Sequence, residues 1–346
     1  RDLPLGGASF SFGRSFGEGK GHVIGGLSYF YQEGIPVDEK TNRDWFDDSS
    51  GQIANPRSGV RPSNIIIPSI RSSIGTFGGL ISSGPLKGTQ FLAGSLPATF
   101  DYGVVTGSAF QSGGDGAPSY IALAPDQLRY SGFVHGEYDL SDSVTVFGES
   151  LYARSHTRDE SNYLQNVGSA LQYTIARDNA FLPASTAQQM DAAKVTSFPL
   201  GRFETEFPLN VLESKIDTYR QVVGLSGEAA FRWRYDLSYA YGQTNLELRQ
   251  NNLSKNRALY ASADAVRDPT GKIVCRSTLQ GLDPGCVPRN LFGPQSGDAA
   301  ANAYILGDSV ANLRLKQHVV AFNLAGDLGE KFKLAELPKT LAELMK

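Results

Sequence analysis

Residues 232–242 decide the fold class, and they read Arg-Trp-Arg-Tyr-Asp-Leu-Ser-Tyr-Ala-Tyr-Gly. The odd positions are apolar or aromatic, and they are Trp233, Tyr235, Leu237, Tyr239 and Tyr241. The even positions are charged, polar or small, and they are Arg232, Arg234, Asp236, Ser238, Ala240 and Gly242. A helix would bring Asp236 into the apolar stripe, whereas a period of two separates the sets completely, so this stretch predicts a β-strand. Such alternation is typical of a soluble sandwich strand and also of a transmembrane β-barrel strand.

The same alternation returns in further segments along the chain. Together with the first stretch, they predict strands at 7–16, 23–32, 128–140, 144–155, 219–227, 232–242 and 315–328. Three of the connections between them are short, and these lie at 17–21, 141–143 and 228–231. The segments therefore predict three tight β-hairpins followed by one more strand.

The remaining connections are long and rich in Pro, Gly, Ser, Asn and Asp. They cover 33–125, 156–216 and 245–311, and we expect polar, mostly irregular loops there, with one helix at 183–194. Structureless loops of this length are uncommon inside a compact domain. Because short and long connections alternate, every long loop leaves the same side of an antiparallel meander. This asymmetry is typical of bacterial outer-membrane barrels, which have short periplasmic turns and long outer loops.

Composition restricts the class further. The chain has 346 residues, of which 40% are hydrophobic, and a mean hydropathy of −0.24. No run approaches the roughly 18 apolar residues that a membrane helix requires, which argues against a helical membrane bundle. Barrel strands escape this criterion because every second residue faces the lumen and can be polar. The net charge of −3, without a basic cluster, predicts no nucleic-acid partner.

Two cysteines, Cys275 and Cys286, lie close together in a polar segment. Such a pair fits a local disulfide formed in an oxidising compartment, and two buried free thiols are the alternative. The histidines are scattered along the chain, and the sequence contains no short Cys/His cluster. We therefore expect no metal site.

One acidic segment carries the candidate ligand-binding residues, which are Asp44, Trp45, Asp47 and Asp48. The carboxylates are suited to a cation site, and Trp45 is suited to stacking on a sugar or an aromatic ligand. The alternatives are a solvated acidic loop and a tryptophan that anchors that loop. Gly-Leu-Ser-Gly at 224–227 lacks the spacing of a nucleophile elbow, and the sequence has no phosphate-binding or zinc motif. We therefore expect neither an enzyme nor a cofactor.

At 268–279 the chain reads Asp-Pro-Thr-Gly-Lys-Ile-Val-Cys-Arg-Ser-Thr-Leu, and at 285–293 it reads Gly-Cys-Val-Pro-Arg-Asn-Leu-Phe-Gly. This cysteine-bearing segment resembles a loop of the TonB-dependent outer-membrane receptors of proteobacteria. Weaker similarity to the same family lies at 83–91, 179–184, 196–203 and 317–328.

The resemblance implies a plugged barrel of about 22 strands, with an N-terminal plug domain and a TonB box. In such a receptor, an energy-coupling complex of the inner membrane drives the uptake of a bound ligand. The present chain departs from this pattern because it shows no plug and no TonB box. Its alternation gives about seven or eight strands, which corresponds to roughly the first third of such a barrel.

These observations predict an all-β fold, an antiparallel transmembrane β-barrel fragment with long extracellular loops, over 1–333. An incomplete barrel leaves two unpaired edges, so we expect an open sheet. A truncated or atypical tail follows at 334–346, where Leu334, Leu337, Leu341 and Leu344 have helical spacing. The residues expected to face lipid in the bacterial outer membrane are Trp233, Tyr235, Leu237, Tyr239 and Tyr241.

The expected function is TonB-dependent active uptake of a scarce nutrient, which is a siderophore, a vitamin or an oligosaccharide. A passive outer-membrane porin is the alternative. The expected partners are the TonB energy-coupling complex, reached through a plug and a TonB box outside this chain, the outer-membrane lipid, and the small nutrient ligand.

Overall fold

The computed structural model describes residues 4–326 except 36–49, 56, 58, 107–108, 119–123, 161–162, 230–232 and 296. In chain order the strands are β1 Leu5–Phe16, β2 Gly21–Gln32, β3 Gly51–Ala54, β4 Asn64–Ile67, β5 Ile70–Ser72, β6 Leu80–Ile81, β7 Thr89–Leu92, β8 Leu96–Thr99, β9 Val105–Thr106, β10 Phe110–Ser112, β11 Asp126–Ser141, β12 Val144–Glu160, β13 Leu164–Asn166, β14 Tyr173–Ala176, β15 Ser197–Glu204, β16 Val211–Ala229, β17 Trp233–Ser254, β18 Ala265–Arg267, β19 Ile273–Cys275 and β20 Leu306–Ala325. The helices are α1 Ala184–Ala193, α2 Asn256–Ala263, α3 Arg276–Leu279 and α4 Ala299–Ile305. Antiparallel strands dominate, which confirms the predicted all-β class.

Seven long strands form one antiparallel sheet, which we call the long sheet, in the order β1-β2-β11-β12-β16-β17-β20. Each strand pairs with the next long strand along the chain, so the sheet is an up-and-down meander. Its edges are β1 and β20, and within the described residues these two strands do not pair with each other. The expectation of an open antiparallel sheet is confirmed for this part of the chain.

Several strands are longer than their apolar alternation predicts. β17 continues to Ser254, past the predicted end at 242, and β16 begins at Val211, before the predicted start at 219. Beyond Tyr241, charged and amide side chains replace the apolar set while the backbone pairing continues. Cross-strand ion pairs such as Lys215–Glu247, with Nζ and Oε1 3.8 Å apart, join the strands there. The predicted loop boundaries at 216 and 245 are wrong because the apolar row of odd positions on β17 ends before the strand does, and the apolar residues Leu246 and Leu248 that follow lie on the other face.

The turns at one end of the long sheet are short. β1 and β2 are joined through Gly17 and Gly19, whose φ angles of 61° and 90° favour glycine. β11 and β12 are joined by Asp142 and Ser143, and the third short turn lies at 230–232, outside the described residues. The opposite end carries the long connections 33–125, 161–210 and 255–305. The predicted alternation of short and long connections is confirmed.

The long connections fold together into a second body, which we call the cap and which comprises the described residues of 50–125, 163–210 and 255–305. Its hydrophobic core draws buried side chains from all three connections: Ile81, Leu86, Phe91, Tyr173, Ile175, Met190, Phe198, Leu200, Phe207, Ala258, Leu259, Ala263, Leu291, Phe292, Ala301 and Ile305. Phe91 meets Phe292 edge to face, with ring centroids 4.8 Å apart. The expectation of irregular polar loops is wrong, because the apolar residues of the three connections pack into one core. The sequence does not reveal this core because these residues follow no regular spacing along the chain.

Small sheets and helices build the cap. β15 from the second connection pairs with β6 from the first, so one sheet joins the two connections. The predicted helix at 183–194 is confirmed by α1, which has Pro183 at its N-cap. Among the described residues, no helix is both long and apolar enough to span a membrane.

Candidate functional site

Cross-strand register determines which residues share a face of the long sheet. Leu237 pairs with Leu225 on β16 and with Phe322 on β20, and directly paired residues point to the same side. The predicted row of Trp233, Tyr235, Leu237, Tyr239 and Tyr241 lies on this side of β17. Within it, Leu237 and Tyr239 are 41% and 42% exposed. Contact of this row with lipid stays a prediction.

The side that bears Leu237, which we call the outer face, is mainly apolar across the long sheet, with Arg14, Ser150 and Gln221 as polar members. Its large exposed side chains include Phe10, Phe12, Phe16, Leu27, Tyr29, Tyr31, Tyr130, Val134, Tyr219, Val223, Leu225, Leu237, Tyr239, Val320, Phe322 and Leu324. β12 contributes the half-buried Val146 and Tyr152. An exposed apolar surface of this extent is rare on a soluble monomer, and it marks contact with a partner or a membrane.

Aromatic side chains bound the outer face at both ends of its apolar region. Near the short turns, Phe16 stacks on Tyr138 with ring centroids 6.0 Å apart. Toward the cap, Tyr152 lies between Tyr130 and Tyr219, at centroid distances of 6.1 and 4.9 Å. The apolar region therefore ends in an aromatic pair near the short turns and in a row of three tyrosines toward the cap.

Charged residues replace apolar ones on the outer face beyond the tyrosine row. Tyr152 donates a hydrogen bond to Asp217 at 2.8 Å, and Arg154 Nε lies 3.6 Å from the same carboxylate. The ion pair between Lys215 and Glu247 continues this charged belt toward the cap. The outer face thus changes from apolar to charged within one strand length.

The opposite side of the long sheet, its inner face, is more polar. Arg220 donates a hydrogen bond to Glu149, and His135 Nδ1 lies 3.9 Å from the same carboxylate. The even-numbered residues of β17, such as Asp236, point to this side. Arg232, which belongs to the same set in the sequence, lies outside the described residues.

A buried ionic network lies at the centre of the cap. Arg202 on β15 is completely buried, and its guanidinium donates hydrogen bonds to Glu204 at 3.0 Å and to Glu206 at 2.8 Å. It also donates to the carbonyl oxygens of Phe77 and Leu291, at 3.1 and 3.4 Å. These carbonyls belong to the first and third connections, whereas Arg202 belongs to the second. The network therefore ties all three connections together.

Arg289 supplies the second cation of the network. Its Nη2 donates to the Tyr173 hydroxyl at 3.1 Å and to Glu204 Oε1 at 3.4 Å. Tyr173 donates to Glu204 Oε1 at 2.5 Å, and Asn166 Nδ2 donates to Tyr173 at 3.0 Å. The Arg289 guanidinium also lies over the Phe207 ring, 4.6 Å from its centroid, in a cation–π contact.

The carboxyl groups of Glu204 and Glu206 share the guanidinium groups of Arg202 and Arg289, and the pKa values of the two carboxyl groups shift in opposite directions. Burial favours the neutral form of Glu204, but the charges of Arg289 and Arg202 outweigh it and lower the pKa to about 2. For Glu206, burial and the negative charge of Glu204 raise the pKa to about 7. Glu206 Oε2 is buried and forms no hydrogen bond with the described residues. The two guanidinium groups therefore hold Glu204 ionised, whereas Glu206 takes up a proton more readily than an ordinary glutamate.

The network is a structural element of the cap. Its charged side chains are at most 6% exposed, so solutes do not reach them from the solvent. Sequence reasoning missed it, although residues 198–206 read Phe-Pro-Leu-Gly-Arg-Phe-Glu-Thr-Glu, with charges at alternate positions among apolar residues. The partner Arg289 lies 85 positions from Glu204, and no local pattern connects them.

Cys275 and Cys286 form a disulfide, with Cα atoms 6.0 Å apart. Cys275 is completely buried in the cap, whereas the sequence suggested an open polar loop. The adjacent Arg276 forms ion pairs with Asp178 at 2.7 Å and with Asp264 at 2.9 Å. The hydrogen bond from Arg276 lowers the pKa of Asp178. The disulfide therefore joins two points of a folded segment.

A cleft of about 320 Å³ lies between the cap and the adjacent ends of β16, β17 and β20. Its polar lining consists of Tyr163, Gln165, Asn210, Asn252 and Ser254, and its apolar lining includes Phe207. None of the lining residues is charged. Sequence reasoning missed this cleft because its walls come from separate connections.

The predicted acidic ligand-binding residues, Asp44, Trp45, Asp47 and Asp48, lie outside the described residues, and so does the tail at 334–346. In the part of the chain that the structure describes, no group of three or more His, Cys, Asp or Glu residues is arranged to hold a metal ion.

Fold and site define an antiparallel all-β protein with an exposed apolar sheet face and a separately packed cap. No family model, curated protein or solved structure matches this chain.

Proposed function

We propose that this chain belongs to an outer-membrane β-barrel receptor that binds a scarce nutrient and imports it with energy from the inner membrane. The observation that carries the proposal is the outer face of the long sheet, which is mainly apolar across seven strands and has aromatic residues at both ends of its apolar region. In a transmembrane barrel, lipid contacts such a band, and aromatic residues lie at both interfaces.

The height of the apolar region supports a membrane location. Tyr130 belongs to the tyrosine row and Tyr138 to the aromatic pair at the other end, and the two are eight residues apart on β11. At about 3.4 Å per residue and a strand tilt of about 40°, they are separated by about 20 Å along the membrane normal. That distance is close to the apolar band of about 25 Å in outer-membrane barrels.

The cap favours a receptor over a passive pore. A pore requires only a lumen, whereas a body with a shared core built from all long connections is suited to presenting binding groups. The resemblance of the cysteine-bearing segment to TonB-dependent receptors supports the same choice. In this proposal, the TonB complex acts through a plug and a TonB box that lie outside this chain.

Uptake by cells that produce the full-length protein tests the proposal. The probes are ferric siderophores, cobalamin and neutral oligosaccharides, each radiolabelled. We expect one class to enter with high affinity and to stop entering when an uncoupler collapses the proton gradient. A passive porin produced in the same cells is the control, and its permeability should not respond to the uncoupler. Entry through this protein that persists unchanged without the gradient would contradict the proposal.

A further inference from the structure

We propose that the cleft between the cap and the long sheet binds a neutral, hydroxyl-rich ligand of the oligosaccharide class. This inference rests on the proposed function, because it names the class of nutrient that the receptor imports.

The polar groups of the cleft match hydroxyl groups. Gln165 and Asn210 line it, and their side-chain amides form no hydrogen bond with any residue that the structure describes. A primary amide offers donors and an acceptor, and a sugar hydroxyl likewise donates and accepts. A phosphate, a carboxylate or an anionic iron chelate would require a cationic partner, and the lining provides none.

Aromatic surface completes the match. Tyr163 lines the cleft and is half-buried, whereas Phe207 belongs to the cap core and is only 4% exposed at the cleft wall. The Tyr163 ring provides a flat apolar surface, which the C–H side of a sugar ring can cover while its hydroxyls bond to the amides. Tyr163 also packs edge to face against Phe77, with ring centroids 6.3 Å apart, so its position is fixed by the cap.

The walls of the cleft are held in place before any ligand arrives. Asn252 adopts a left-handed conformation with φ of 61°, its Nδ2 donates to Leu209 O at 2.8 Å, and its backbone N–H donates to Asp308 at 3.2 Å. Phe207 is fixed by Arg289 of the buried ionic network. Preorganised groups lose little entropy on binding, which favours affinity for a weakly interacting neutral ligand.

The size of the cleft limits the ligand. A volume of about 320 Å³ lies at the lower end of the roughly 300–1,000 Å³ found for small-molecule pockets. The cleft therefore accepts a short part of a chain, and the remainder of a longer oligosaccharide extends into solvent.

Calorimetric titration of the full-length protein in detergent tests the inference. Maltotriose, cellotriose and xylotriose are the neutral probes, and trigalacturonic acid and a ferric catecholate are the charged probes. We expect saturable binding of at least one neutral trisaccharide and no binding of the charged probes. Gln165→Ala and Asn210→Ala should each weaken that binding about two- to tenfold, because each removes a hydrogen bond.

Tyr163→Ala should weaken the binding by about tenfold through the loss of the stacking surface. The matched control is Asn312→Ala, which removes an exposed amide from β20 outside the cleft and should leave the affinity unchanged. Binding of no neutral trisaccharide, or binding that all three cleft substitutions leave unchanged, overturns the inference. Energy-dependent uptake of a charged nutrient would overturn it and leave the proposed function intact. If a trisaccharide binds at the cleft but enters the cell without the proton gradient, the inference stands and the proposed function is contradicted.

Discussion

The long sheet and the cap bury their side chains in opposite ways. All 12 residues of β1 are exposed, and Val222 is the one hydrophobic residue of the seven described strands that is buried. The cap contains completely buried residues such as Leu200 and Phe292 around a shared core. The cap therefore carries its own source of stability, whereas the sheet depends on whatever covers its outer face. Under the proposed function, that cover is lipid.

The largest expected effect concerns the cation of the cap. Arg202→Met removes one of the two guanidinium groups that Glu204 and Glu206 share, and only Arg289 then faces both carboxyl groups. Breaking a buried ion pair in this way leaves charge uncompensated and costs about 3–5 kcal/mol. Because that charge lies in the cap, we expect amide hydrogen exchange of the full-length protein to accelerate in the cap and to remain slow in β17.

The control for this substitution lies in the long sheet. Arg220→Met removes a half-exposed guanidinium that pairs with Glu149, and such pairs contribute at most about 1 kcal/mol. If Arg202→Met lowers protection equally in the cap and in β17, the two regions form one cooperative unit and the comparison fails.

The same difference explains what the sequence could predict. The faces of β17 can be predicted because a strand repeats its environment every second residue, and the antiparallel meander of the long sheet follows from the alternation of short turns and long connections. The cap has no such sequence period. Ser95, for example, donates a hydrogen bond to Phe292 O at 2.7 Å although the two residues are 197 positions apart, and no local sequence pattern predicts this contact. The strand ends were missed where charged cross-strand pairs such as Lys215–Glu247 replace apolar ones.

The features of the candidate site also divide into those that a local sequence pattern predicts and those that it does not. The cysteine pair was visible because its members are 11 positions apart. The ionic network and the cleft were not visible, because each assembles residues from separate connections, as Arg202 and Arg289 illustrate. Local patterns therefore predict the sheet, whereas the cap requires knowledge of long-range contacts.

A smaller effect should distinguish the two faces of the long sheet. Leu237→Arg places a charge on the outer face, and an arginine that contacts lipid near the membrane centre costs about 2–4 kcal/mol. Ser238→Arg is the matched control, since it adds the same side chain one residue away on the inner face and should change stability by about 0.5 kcal/mol or less. Denaturant unfolding of the full-length protein in lipid vesicles measures both. A larger cost for Ser238→Arg would place lipid on the inner face, and equal costs would mean that neither face contacts it.

The smallest expected effect is a difference between the cap and the long sheet in how their stability depends on pH. The pKa of Glu206 is about 7 in the folded cap, above its ordinary value of 4.5. A carboxyl group that is protonated more readily in the folded state stabilises that state fully below the ordinary pKa, and the contribution is lost as the pH rises toward 7. Glu204 acts in the opposite direction, but its window lies lower, between its pKa of about 2 and 4.5. We therefore expect the cap to lose on the order of 1–2 kcal/mol between pH 5 and pH 7, while β17 keeps its stability.

Glu206→Gln sharpens this last expectation because glutamine keeps the shape of the side chain and an acceptor for Arg202 but cannot ionise. The variant should show a cap stability that no longer falls between pH 5 and pH 7, while its stability at pH 5 stays close to that of the parent protein. Hydrogen exchange, corrected for the intrinsic pH dependence of amide exchange, measures this slope in the cap and in β17 separately. Glu247→Gln is the control, since Glu247 lies in the charged belt of the long sheet and its loss should leave the slope of the cap unchanged. A parent cap with constant protection over this range would mean that the hydrogen bond from Arg202 at 2.8 Å keeps Glu206 ionised throughout.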